Sequence, residues 1–272
     1  MQEKKQTVAE ISKASEILGT IPTTTKMAEC EIHGEYMTEN KTILGMVFSI
    51  GCPKCIEEKD KISAEEEKER FRKAENERVV REEQKLEKIG IRRRFYQTSF
   101  DTYETFSEEM KNALEICRDY AKRKEEILKS GECVFLIGRP GTGKNHLAIS
   151  ILKEFGGDVF IIKASEMIRK IRESYKSGSE EREQSLIERF ACYDLLIVNE
   201  VGVQFGTDNE KNLLFEVLDI RYENMLPTIF ISNLNIQNIK EFVGGRVIDR
   251  MLENGKIIEF TWGSYRGEDK KS

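Results

Sequence analysis

The sequence predicts an α/β fold built on a parallel sheet, and three observations carry that prediction. An apolar run, Val134-Phe135-Leu136-Ile137, stops at a glycine-rich turn. A helical pattern follows, with Leu147, Ala148, Ile151 and Leu152 on one face. A second run, Leu195-Leu196-Ile197-Val198, is apolar without alternation, as expected of a strand buried on both faces of a parallel sheet.

The turn carries the chemistry. It reads G-x-x-x-x-G-K across Gly138, Arg139, Pro140, Gly141, Thr142, Gly143 and Lys144, followed by Asn145 and His146. Glycines let backbone N–H groups turn inward around phosphate oxygens. The helix behind presents its positive end to the same anion. Lys144 would reach the terminal phosphates as a mobile point charge. The residue after the lysine is usually Ser or Thr, whose hydroxyl binds magnesium, and here it is Asn145.

The chain has 272 residues, 39% hydrophobic and 34% charged, with a net charge of −5. That length accommodates one full domain and a smaller module. No apolar run approaches the ~20 residues of a membrane span. The N-terminus lacks the apolar core of a signal peptide, so the expected location is cytoplasmic. An acidic chain is no general magnet for nucleic acid, and contacts with it need local basic patches.

In chain order, residues 1–29 read as a flexible N-terminus, with an amphipathic helix possible around 8–18 and Thr23-Thr24-Thr25 as linker. Residues 30–55 read as a metal module. Cys30 and His33 form a C-x-x-H knuckle, and Cys52 and Cys55 a C-x-x-C knuckle after eighteen intervening residues. Four such ligands suit tetrahedral zinc in a closed, structural site. A segment this short cannot bury enough surface to fold unaided, and zinc supplies ~10–16 kcal/mol. Residues 41–50 between the knuckles suggest a β-hairpin arm. The remaining cysteines, Cys117, Cys133 and Cys192, lie in apolar patterns and are expected to be buried.

Residues 56–90 are dense in Glu, Lys and Arg with a thin apolar stripe. They predict a solvated helical linker, the alternative being a helix docked on a partner. The domain at 91–268 opens with an aromatic and basic segment, 91–105, which either lines the nucleotide base or anchors the linker to the core. A helix follows from Met110, closed by Gly131. Beyond the glycine-rich loop come a strand at 158–163, a helix at 165–175, and a helix at 180–190. The first of these helices carries Arg169, Lys170 and Arg172 and ends near Tyr175. Basic residues with a terminal aromatic suit single-stranded nucleic acid, although a solvated helix face has the same pattern. The strand 194–200 ends in Asn199-Glu200, at the carboxyl end where open sheets bind ligands. A helix at 208–224, a strand at 228–232 ending at Asn233, and a last strand at 257–262 complete the sheet. Arg246 and Arg250 lie one helical turn apart. Few residues remain after 266, so no C-terminal helical lid is expected.

As a set, GRPGTGKNHLA (138–148), DLLIVNEVGVQ (194–204), ISN (231–233), GGRVIDRM (244–251) and WGSYR (262–266) resemble the bacterial DnaC-type helicase loaders and their relatives, the IstB-type transposition ATPases. Both belong to the initiator group of AAA+ ATPases. The resemblance covers residues 90–266, and Asn145-His146 matches the loader form of the loop. The Cys/His knuckles and charged helix look like the N-terminal module of phage and prophage loader relatives. The resemblance implies a five-stranded parallel sheet of order 5-1-4-3-2 and ATP and Mg²⁺ as ligands besides Zn²⁺, while neutral amides at both protein positions near magnesium, Asn145 and Asn199, point to a weak or assembly-dependent ATPase. It implies that Gly138, Pro140, Gly141, Thr142, Gly143, Lys144, Asn145, His146 and Asn199 surround the nucleotide. Glu200 matches the acid that polarises water, and Asn233 the polar residue beside the γ-phosphate. Arg246 matches a finger acting on a neighbouring subunit's ATP, and Arg266 an arginine that senses nucleotide. Lys170 and Tyr175 fall on the helix that tracks single-stranded DNA. The implied partners are a hexameric replicative helicase, single-stranded DNA and a neighbouring AAA+ subunit. Asn199 departs from the loaders, which keep Asp there. The alternative functions are a transposition helper or a nucleotide-dependent adaptor with little hydrolysis.

Overall fold

The computed structural model describes residues 23–43, 46–174, 183–202 and 208–265. The chain divides into two compact units, Met1–Val79 and Val80–Ser272.

In the first unit, β1 (Thr23–Cys30), β2 (Gly34–Ile43) and β3 (Met46–Ser49) form an antiparallel sheet in the order β1-β2-β3. One expectation changes here. The threonine run is the start of β1, with Thr23 paired to Lys41, because β-branched threonine suits a pleated strand as well as a linker. The expected hairpin at 41–50 forms between β2 and β3, with Lys41 opposite Phe48, and a longer hairpin, β1–β2, precedes it, its turn at residues 31–33 supplied by the first knuckle, with Gly34 at φ 75°. Helix α1 (Pro53–Lys88) begins at the second knuckle and runs 36 residues with none buried. Proline at its first position costs no hydrogen bond. Ion pairs along it, Glu57–Lys61, Glu69–Lys73 and Glu75–Arg78, face water and add little each.

The second unit starts before the expected boundary at residue 91. Leu86 and Ile89, on the last turn of α1 and just beyond it, already pack on the core. A Cβ on Gly90 would stand 2.1 Å from the Ile161 carbonyl oxygen, so the chain here approaches the sheet edge too closely for any side chain. After a 3₁₀ turn (Arg93–Phe95) come α2 (Glu108–Lys122) and α3 (Lys124–Ser130), two helices where the pattern predicted one. Ser107 caps α2 by accepting from the Met110 N–H, and Gly131 ends α3 in the left-handed region.

The sheet comprises β4 (Val134–Gly138), β5 (Val159–Lys163), β6 (Leu195–Asn199), β7 (Thr228–Ser232) and β8 (Lys256–Phe260), all parallel, in the order β5-β6-β7-β4-β8. Within the unit this is the expected 5-1-4-3-2. Helices α4 (Lys144–Phe155), α5 (Ala164–Glu173), α6 (Glu183–Cys192), α7 (Asp208–Glu223), α8 (Ile236–Val243) and α9 (Gly245–Glu253) follow the strands. Alternate strand residues feed two cores. Val134, Leu136, Leu195, Ile197, Ile229 and Ile231 join one, with α2 and α4. Phe135, Ile137, Leu196, Val198 and Phe230 join the other, with α5 to α9, and the Phe135 and Phe230 rings stack at 4.5 Å. Cys192, expected to be buried, is exposed at the end of α6, whereas Cys117 and Cys133 are buried.

Candidate functional site

The loop between β4 and α4 forms one wall of a cleft of about 310 Å³. Pro140, Gly141, Thr142, Gly143, Lys144, Asn145 and His146 line it, as do Asn199, Glu200 and Asn233 from the carboxyl ends of β6 and β7. Gly138 ends β4 just outside the lining, at φ 137°.

Four of the loop's carbonyl groups, those of Gly138, Arg139, Gly141 and Thr142, are engaged by hydrogen bonds. Lys144 Nζ donates to Gly138 O at 2.6 Å and Arg139 O at 2.7 Å, and Thr142 Oγ1 also donates to Arg139 O. The backbone N–H of Tyr265 donates to Gly141 O at 2.9 Å. The Trp262 indole Nε1–H donates to Thr142 O at 2.8 Å. In a trans peptide unit, C=O and N–H point in opposite directions. Holding the carbonyls of Gly141 and Thr142 therefore turns the N–H groups of Thr142 and Gly143 the other way, as an anion-binding loop requires. Residues 262–265, which follow β8, act as a strap against the loop. A Cβ on Gly141 would strike Ser264 Oγ at 2.0 Å, and one on Gly143 the Tyr103 ring at 2.7 Å. Burial lowers the Lys144 ammonium pKa to about 8, a penalty that a bound phosphate would reverse.

On the facing wall, β5 and β6 pair with Lys163 opposite Asn199. That register brings Lys163 Nζ to 2.8 Å from Glu200 Oε2. Glu200 sits at φ 57°, in the left-handed region, and its N–H is held by Asn199 Oδ1 at 2.9 Å. The Asn199 oxygen is thus engaged with the backbone. Ser232 donates to Val201 O and accepts from the Leu234 N–H, which fixes the turn that carries Asn233.

Phe95, Thr102, Tyr103, Glu104 and Tyr265 also line it, so the 91–105 segment both borders the cleft and anchors to the core. Lys153 on α4 holds it by donating to the carbonyls of Phe95, Tyr96 and Thr98. His146 lines the cleft, but its Nε2 lies 2.8 Å from Ser99 O and 3.2 Å from Thr102 Oγ1, and its ring meets Tyr103 edge-on. The Tyr103 hydroxyl is buried and finds no partner among the described residues.

Arg246 is exposed at the start of α9 and does not line the cleft. Lys170 lies on α5, 3.7 Å from Glu166. On the same element, Arg169 pairs with Glu173 and Arg172 with Glu210. Tyr175 and Arg266 lie outside the described residues.

In the first unit, Cys30, His33, Cys52 and Cys55 converge, with their ligand atoms all within 4.8 Å of one another. His33 Nδ1 lies 3.8, 3.6 and 3.3 Å from the sulfurs of Cys30, Cys52 and Cys55, and the Cys30 and Cys55 sulfurs are 3.6 Å apart. Zinc bonds of about 2.3 Å to sulfur and about 2.0 Å to nitrogen set tetrahedral edges of roughly 3.5 Å (S to N) and 3.8 Å (S to S). The donor set therefore fits tetrahedral zinc in chemistry and size. The N–H groups of Ile32 and His33 pull the Cys30 thiol down to about 6. Hydrogen bonded to Cys30, the Cys55 thiol is pushed up to about 11. A dication among them would replace that shared proton.

Sequence reasoning missed the strap bonds, the Lys163–Glu200 pair and Arg221. The last is a fully buried cation on α7, donating to Thr228 Oγ1 and to the carbonyls of Phe190, Ala191, Tyr193 and Pro227. Burial lowers its pKa to about 10.

A family profile described as IstB-like ATP binding protein matches residues 59–272. The chain is 32% identical over 193 residues to the replicative helicase loader DnaC of Escherichia coli (strain K12), covering 70% of this chain and 77% of that protein. It is 30% identical over 201 residues to the protein of the same name from Buchnera aphidicola subsp. Acyrthosiphon pisum, covering 70% and 80%. The fold is similar to a crystal structure of the DnaC helicase loader, with a TM-score of 0.55 at 19% identity over 62% of this chain and 99% of that one. A crystal structure of DnaI gives a TM-score of 0.53 at 18% identity, over 63% and 95%. With a parallel sheet of the expected order and a phosphate loop at the carboxyl end of β4, the chain belongs to the IstB/DnaC family of ATP-binding proteins.

Proposed function

We propose that this chain is an ATP-controlled loader of a hexameric replicative helicase, acting in the cytoplasm. The arrangement of the cleft supports the reading most directly. Glu200 and Asn233 face the phosphate loop, while Arg246 stands outside the cleft and exposed. A cleft of this kind is finished by a neighbour: Arg246 would enter the ATP site of an adjoining AAA+ subunit, where such a finger contributes ~10³–10⁵ in rate. Lys144 would hold the terminal phosphates, and Mg²⁺ would sit near Asn145. The zinc module, with Met27, Met37, Met46 and Phe48 exposed on its sheet, would engage the helicase. Lys170 and Tyr175 would contact single-stranded DNA. The Lys170–Glu166 pair is exposed and weak, so a DNA phosphate can displace it.

A second reading is a nucleotide-dependent adaptor with little turnover. It is favoured by Glu200 being paired to Lys163 and by the Asn199 oxygen being occupied by the Glu200 N–H. One experiment addresses both. The chain is mixed with the replicative helicase of its own organism in ATP or ADP and examined by size-exclusion chromatography with light scattering, with phosphate release measured in parallel. A nucleotide-dependent complex containing a helicase hexamer is expected. Its absence in both nucleotides would sink the loader reading and turn attention to duplex DNA and a transposition role. Turnover stimulated by helicase and single-stranded DNA would exclude the adaptor.

A further inference from the structure

We propose that Glu58 is a positioning residue for the metal centre: it holds the His33 ring so that Nδ1, not Nε2, is the ligand. The proposal rests on the zinc reading of the four-residue cluster. Its own observation is separate. His33 has two nitrogens, and the structure gives them different neighbours. Nδ1 faces the three sulfurs, at 3.3 to 3.8 Å. Nε2 faces away from them, 3.3 Å from Glu58 Oε1. Coordination through Nδ1 needs a bare nitrogen there, so the ring proton must sit on Nε2. A carboxylate at that nitrogen accepts the proton's hydrogen bond, fixes the tautomer and stops the ring from turning about its Cβ–Cγ bond.

The placement follows from the chain. Helix α1 begins at Pro53, so Cys55 lies on its first turn and Glu58 one turn further on the same face. His33 comes from the β1–β2 turn, a different element. Glu58 therefore clamps the hairpin knuckle to the helix knuckle through one side chain. The neighbouring acid, Glu57, points elsewhere and pairs with Lys61 at 2.8 Å. It serves as an internal control with the same charge and a similar exposure.

The test uses the full chain carrying Glu58→Ala, Glu58→Gln or Glu57→Ala. Zinc affinity is measured by competition with a chelating dye, and the His33 tautomer by ¹⁵N long-range correlation spectra of the zinc-loaded protein. Loss of an outer carboxylate costs 10–100-fold in metal affinity, and an exposed one belongs at the low end. Glu58→Ala is expected to bind zinc about tenfold more weakly. Glu58→Gln should lie between it and the parent, because the amide oxygen still accepts a hydrogen bond, and Glu57→Ala should match the parent. In the parent, the His33 spectrum should report zinc on Nδ1 and a proton on Nε2. Equal zinc affinity in Glu58→Ala and the parent, or zinc on Nε2, overturns the role of Glu58 while leaving the metal centre standing. A parent chain that takes up no zinc overturns the metal centre itself.

Discussion

Replacing Trp262 by Phe tests whether the strap sets the phosphate loop. The change keeps an aromatic ring against Phe260, whose centroid lies 4.8 Å away, and removes only the N–H that reaches Thr142 O. Thr142 is fully buried, so its carbonyl loses its partner in a site with little access to water. A buried acceptor left unpaired costs ~1–3 kcal/mol. The loop can escape part of that cost by turning the 142–143 peptide, which moves the Gly143 N–H off the anion. The penalty is then transferred from folding to binding. Taking ~1–2 kcal/mol as the transferred part, ATP affinity should fall roughly 5–30-fold. Isothermal titration with ATP and Mg²⁺ reads this directly, and a thermal melt without nucleotide separates it from a general loss of stability. An unchanged ATP affinity together with a lowered melting temperature would refute the argument, because Trp262 would then be a packing residue alone.

Lys163→Ala frees Glu200 from its ion pair. Since both side chains are partly exposed, the pair is worth at most ~1 kcal/mol, and basal phosphate release should rise no more than about fivefold; an unchanged or lower rate would mean the pair does not restrain the acid. Arg221→Met leaves five acceptor contacts unmet and should cost about 3–5 kcal/mol in chemical denaturation, whereas a loss below ~1 kcal/mol would mean that water replaces the guanidinium. The Lys144 ammonium titrates low because it is buried, at about 8, and a bound phosphate would raise it, so ATP binding should take up a proton above that pH. ATP affinity should then be about tenfold weaker at pH 9 than at pH 7, and a flat profile would show that Lys144 keeps its charge throughout.

What was legible in the sequence depended on pattern. The strands β4 and β6 are apolar runs of four residues and β7 holds one of three, and residues 138–144 carry a spacing that few other structures need. The Cys30, His33, Cys52 and Cys55 cluster was readable because short knuckles keep each pair close in the chain. What stayed hidden depends on register or on tertiary approach. Lys163 meets Glu200 only because β5 and β6 pair with Lys163 opposite Asn199. Trp262 reaches Thr142 across 120 residues of chain. Arg221 looks like any charge in the last turn of a helix, and only the convergence of α6, α7 and β7 buries it. Thr23-Thr24-Thr25 has no apolar alternation, so its strand is set by pairing with residues 39–41. The exposure of Cys192 follows from its place at the end of α6, which no periodicity fixes to a residue.

Helix α1 is continuous in geometry and uneven in stability. Its first turn carries Cys55 of the Cys/His cluster and its last turn packs on the core through Leu86, but the stretch between has no buried residue. A lone helix gains little from propensity and surface ion pairs once its ends are set aside. Amides near residues 66–78 should therefore exchange with solvent through local opening at a small fraction of the energy that protects β6. No glycine or proline lies between residues 54 and 89, so this weakness comes from the lack of burial and not from a helix-breaking residue.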